Sequence, residues 1–118
     1  MDSLNYFNMT DKQITGNKLI INFVRSGAQY KKAEMYYEHE IAGGFPDYTG
    51  LKYHKDWNWL MPIVKKIQID SPEAPEESSG WYAYYGMEPW LVLADINKVF
   101  EHCVQYIEWY NKRETDGE

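Results

Sequence analysis

The residue types that do chemistry are few in this chain, and they sit in three short runs: Glu38-His39-Glu40, Glu101-His102-Cys103, and His54 with Asp56. Two ligands on one helical face need the spacing of HExxH, and neither His-containing triplet has it. A distant meeting of His39, His54 and His102 has no signal in the sequence, so no metal site is expected. Cys103 beside His102 has the composition of a nucleophile and a base. Adjacent helical residues point about 100° apart, however, and Cys103 falls on an apolar face, so a buried, inert thiol is the expectation. His54 and Asp56 form the best polar pair, beside Trp57 and Trp59. Capping of a following helix by Asp56 outweighs acid–base work there. There is no Gly-rich phosphate loop and no GxSxG elbow, so neither a catalytic residue nor a cofactor is expected.

The elements that must position these residues follow from periodicity. Residues 1–14 read as a loose lead-in. TGNKLIINFVRSG, 15–27, reads as a first helix: Thr15 can cap it, Leu19, Ile20, Phe23 and Val24 recur at three- and four-residue spacing, and Gly27 can close it. AQYKKAEMYYEHEIAGG, 28–44, alternates in part and predicts a strand ending near Glu40. GGFPDYTG, 43–50, is a turn.

In YHKDWNWLMPIVKKI, 53–67, the residues Trp57, Leu60, Met61, Val64 and Ile67 share one helical face, with Trp59 and Ile63 on an adjoining flank. Asp56 would cap a helix starting at Trp57. Pro62 would then lie too deep, at a cost of about 3 kcal/mol, and would free the carbonyl of Asn58. A start nearer Trp59 would place Pro62 in the first turn and remove most of that penalty. IDSPEAPEESSG, 69–80, reads as an acidic Pro/Ser loop, and the aromatic WYAYYGM, 81–87, as a strand pairing with the one before Glu40. WLVLADINKVFEHCVQYIEWYNKR, 90–113, is the strongest helix: Ile96, Val99, Phe100, Cys103, Val104, Ile107 and Tyr110 keep the rhythm. Either Pro89 or Asp95 would begin it, and residues 114–118 form a frayed tail. The expected fold is a single α+β domain, with three helices packed on a small antiparallel sheet built from about 29–40 and 80–87.

Composition narrows the function classes. The chain has 118 residues and one cysteine, which excludes a disulfide scaffold and a Cys-based zinc site. No basic n-region with an apolar run opens it, and no apolar run approaches the roughly 20 residues of a membrane span. A lone thiol suits a reducing cytoplasm. The net charge is −6, and between Ile67 and Asn97 there is no Lys or Arg against Asp70, Glu73, Glu76, Glu77, Glu88 and Asp95. That stretch repels phosphate and attracts a basic partner, which argues against direct nucleic-acid binding. Aromatics reach 17% of residues, and Trp81, Tyr82, Tyr84, Tyr85 and Trp90 exceed what one small sheet face hides. An acidic loop beside an aromatic strand is a usable protein-binding surface, with Asp70, Glu73, Glu76, Glu77, Trp81 and Tyr84 as the expected contacts.

YHKDWNWLMPIVKKI and the later VFEHCVQYIEWYN, 99–111, resemble a family of small uncharacterised proteins of Bacteroidetes and their phages, with YHxxWxWLMPVVxKI-like and CVxFIxWYN-like motifs. NKLIINFV, 17–24, is similar to that family's first helix. The residues 28–50 and 70–90 have no counterpart in the resemblance. No catalytic residue can be carried over, because the family has no assigned activity. What the resemblance implies is a phage or mobile-element context, in which small acidic proteins often act as anti-CRISPR inhibitors. The expected function is therefore a non-enzymatic interaction protein that binds a basic surface of an RNA-guided nuclease or its guide complex in the bacterial cytoplasm. Two alternatives stand beside it: a small enzyme or ligand binder with a pocket near Trp57 and His54, and a structural homo-oligomer.

Overall fold

In the computed structural model the described residues are 9–26, 36–44, 48–70 and 74–115, with side chains omitted at 70, 114 and 115. Among them there are six helices and no strand: α1 (Asp11–Arg25), α2 (Tyr36–Gly43), α3 (Trp57–Asp70), α4 (Ser79–Gly86), α5 (Glu88–Val92) and α6 (Ile96–Thr115). The expected α+β fold with its antiparallel sheet is therefore wrong. The longest helix, α6, is the hub: α1, α3, α4 and α5 all pack on it, α4 most extensively.

Residues 36–40 of one expected strand and 80–86 of the other are helical, for the same reason. In α4 the inward positions are Gly80 and Ala83, followed by Met87 just beyond the helix, all buried at helical spacing. Small residues at two of these positions let α4 lie directly on α6. A Cβ at Gly80 would come within 2.4 Å of Trp109 Cε3. The run of aromatics gave a strand signal, and packing overrode it. Ser78 starts the helix, its Oγ accepting from Trp81 N–H at 3.2 Å. In α2 the buried residues are His39, Ala42 and Gly43, again one helical face. Residues 28–35 of the other expected strand lie outside the described residues.

Boundaries moved as well. Helix α1 begins at Asp11, inside the expected lead-in, because Thr10 and Gln13 form a reciprocal capping box. Thr15, the expected cap, sits within the helix. The side of α1 that faces α6 carries Gly16, whose missing Cβ would meet Phe100 Cζ at 2.6 Å. Arg25 at the end of α1 ties down α2 through a paired contact with Glu40, Nε to Oε2 at 3.0 Å and Nη2 to Oε1 at 2.9 Å.

Helix α3 does start at Trp57, and Asp56 caps it by accepting from Asn58 N–H at 2.9 Å. Pro62 thus sits in the helix interior, the costlier of the two expected placements, and cannot donate to the Asn58 carbonyl. Asn58 is exposed, so water can serve that carbonyl. The buried face is Trp59, Leu60, Ile63, Val64 and Ile67, rotated from the expected one, and Met61 is left 43% exposed.

The expected acidic loop at 69–80 is shorter than read. Residues 69–70 belong to α3, 79–80 belong to α4, and 71–73 lie outside the described residues. Ala74 within it is buried.

The expected helix 90–113 is broken in two by a corner. Asp95 N–H donates to Trp90 O at 2.9 Å and Ala94 N–H to Leu91 O at 3.1 Å, with Ala94 left-handed at φ 55°. This is a Schellman close with alanine where glycine is favoured. Asp95 then starts α6, its Oδ1 accepting from Lys98 N–H at 3.2 Å. Ala94 is exposed, so Ala94→Gly removes backbone strain without opening a cavity. The expected result is a stability gain of about 0.5–1 kcal/mol by urea unfolding, and a loss would show that the left-handed residue carries no strain. At the far end, α6 runs to Thr115, two residues into the expected frayed tail.

Candidate functional site

Two regions hold the residues singled out by sequence. The first surrounds YHKDWNW. Helix α2 brings His39 flat against Trp59 of α3, ring centroids 3.6 Å apart and 12° from parallel. Tyr53 meets both rings edge-on, and its hydroxyl is hydrogen-bonded to His39 Nδ1 at 2.7 Å. Asn17 of α1 completes the array. Its Oδ1 accepts from Tyr53 N–H at 3.1 Å, and its Nδ2 donates to His54 Nδ1 at 2.9 Å. All of these residues are buried. Burial lowers the pKa of His39 to about 4 against an opposing pull from Asp56, and burial lowers that of His54 as well. Both rings are neutral at pH 7.

This array is a polar lock inside the core. Every ring is packed, and His54 and Asp56, paired in the sequence reading, serve different partners. The two cavities described below are lined by neither Trp57, Trp59 nor His54. A packed Trp59 counts against a substrate pocket at this position. Sequence reasoning singled out His39, His54 and Trp59, but not their meeting, and missed Tyr53 and Asn17. The missed signal was Asn17, a lone polar side chain on the buried face of α1.

The other chemical groups are similarly occupied. His102 Nδ1–H donates to Ala83 O at 3.0 Å, which ties α6 to α4. Cys103 is fully buried, and burial pushes its thiol up. Among the described residues no three His, Cys, Asp or Glu side chains are placed to hold a metal ion.

The second region is the expected acidic–aromatic surface. Glu76 and Glu77 are exposed, on the turn immediately before α4. Trp81 is half-buried, and its ring centroid lies 5.0 Å from that of Tyr82 and 4.9 Å from that of Tyr85. Tyr82 and Tyr85 are 56% and 55% exposed, whereas Tyr84 is partly buried against the core. Tyr84 is therefore the weakest of the expected contacts, and Tyr82 and Tyr85 are the residues the sequence reading left out of the set. Once α4 is a helix, 81, 82 and 85 share its outer side. Glu73 and the side chain of Asp70 lie outside the described residues. The further acid Glu88 is exposed, while Asp95 is committed to capping α6.

Two open grooves flank α6. One, of about 620 Å³, lies against α1, with Gly16, Leu19, Phe100 and Val104 among its lining. The other, of about 560 Å³, lies between α4 and α6. Among the described residues no helix is long and apolar enough to cross a membrane. No protein-family model, no curated protein and no solved structure matches the chain. What the fold and surface define, among the described residues, is a helical protein with a buried histidine–tryptophan lock and an acidic aromatic face.

Proposed function

We propose that this protein is a non-enzymatic inhibitor that binds a basic, partly apolar protein surface through the outer side of α4 and the turn before it. The target class favoured by the phage-protein resemblance is an RNA-guided nuclease or its guide complex, met in the cytoplasm of a bacterial host. The observation that carries the reading is the juxtaposition of Glu76 and Glu77 with Trp81, Tyr82 and Tyr85, in a stretch that holds no Lys or Arg from 68 to 97. Aromatic rings with large exposed area supply interface energy, and the acids supply steering toward a cationic partner. The neutral, packed histidines of the lock offer no comparable surface for chemistry.

The test is a cleavage assay with guide-loaded effectors from Bacteroidetes hosts, run beside gel filtration. Wild-type protein is expected to co-elute with one effector and to suppress its cleavage, more weakly as salt rises. The double reversal Glu76→Lys with Glu77→Lys is expected to restore cleavage. Undiminished cleavage with no complex formed would sink the nuclease reading. A complex indifferent to the reversal would sink the surface.

A further inference from the structure

Cations lie over five rings of the described residues, and none of the five is on α4. Lys18 Nζ lies 5.3 Å from the ring centroid of Tyr48, Lys66 Nζ 4.9 Å from that of Phe23, and Lys98 Nζ 5.7 Å from that of Trp90. The Arg113 guanidinium lies 5.5 Å from the ring of Trp109 and 4.9 Å from that of Tyr110. Among the described residues no Lys or Arg lies over Trp81, Tyr82 or Tyr85. The exposed aromatic face of α4 thus lacks the cation that these five rings have.

Tyr82 also forms one wall of the groove between α4 and α6, whose opposite wall carries Gln105, Glu108 and Lys112. Trp109 in the same groove is already covered, by Gly80 and by Arg113. His102 is fixed by its bond to Ala83 O, which leaves Nε2 as an acceptor. The groove therefore offers an exposed phenol ring together with a carboxylate, an amide and an imidazole that can accept hydrogen bonds, and one opposing ammonium.

Resting on the reading of α4 as the partner surface, we infer that this groove seats one arginine side chain of the partner, its guanidinium stacked on Tyr82 and hydrogen-bonded to Glu108. A planar, weakly hydrated guanidinium stacks on a ring and reaches a carboxylate together, whereas a lysine ammonium is strongly hydrated and does not stack. A guanidinium over aromatic rings already occurs within the chain, where Arg113 lies over Trp109 and Tyr110. Lys112 sets the sign of the test, because it repels a cation and would attract an anion.

The experiment titrates the full chain, by calorimetry, with two peptides of equal length and charge, one carrying arginines and the other lysines at the same positions. Wild-type protein is expected to bind the arginine peptide about 2- to 5-fold more tightly, a preference that Tyr82→Ala erases. Glu108→Gln is expected to weaken the arginine peptide and Lys112→Ala to tighten it. Equal binding of both peptides, reduced by Glu76→Lys with Glu77→Lys, would overturn the arginine seat and leave the acidic face standing. Tighter arginine binding that survives Tyr82→Ala would overturn the seat, and weakening by Lys112→Ala would show that the groove takes an anion. Binding of neither peptide would overturn the seat, and the separate cleavage assay would then decide whether the acidic face stands.

Discussion

Trp59→Ala is expected to destabilise the fold by about 3–5 kcal/mol, and Trp57→Ala by only about 1–2 kcal/mol, although the two residues look interchangeable in WNW. Trp59 is 4% exposed, whereas Trp57 is partly buried at the margin of the core. Removing the Trp59 indole takes away the plane on which His39 stacks and one of the rings against which Tyr53 packs. The cavity would open at the junction of α2, α3 and the 51–56 segment, between the rings of His39 and Tyr53. Urea unfolding of both variants with unchanged m-values checks the contrast. Equal losses would mean that the lock does not hold the core.

Stability is expected to fall by up to roughly 3 kcal/mol as pH drops from 6.5 toward 4, with His39 as the chief cause. In the unfolded chain the ring titrates near its ordinary 6.5, and in the folded protein near about 4. Between these values the unfolded state binds more protons, so acid favours unfolding. The contribution is fully present above 6.5 and gone below about 4. His54, lowered in the same direction, adds to the slope. The measurement is a series of urea unfolding curves across that range, with His39→Phe as the comparison. That variant loses the Tyr53 hydrogen bond at every pH, but its profile is expected to be flatter. An equally steep profile without His39 would refute the assignment.

Helix α6 was legible in the sequence because its large apolar residues repeat over many turns: Val99, Phe100, Cys103 and Ile107 are buried as their spacing requires. The cap at Asp56 was legible because a single polar side chain stands just before an apolar run, and Asp95 was one of the two starts left open for the last helix. Helices α2 and α4 were not. Each is only eight residues long and turns Gly, Ala or His inward, so hydropathy carries no helical rhythm there. The α4 rings then read as strand because aromatics favour strands on average. The site followed the fold: Glu76, Glu77 and Trp81 could be chosen from charge and composition, but choosing Tyr82 and Tyr85 over Tyr84 required the helical period.

The placement of α6 has a consequence for the order in which the chain can fold. It is the last of the six helices to be synthesised, and it is the one on which α1, the first, comes to rest. Gly16 cannot meet Phe100, nor Gly80 meet Trp109, until about a hundred residues have left the ribosome in sequence order. During that interval the faces of α1 and α3 that carry Ile20, Phe23, Leu60 and Ile67 have no α6 to cover them. Closure of the core is therefore deferred until α6 has emerged, whatever order the earlier helices form in.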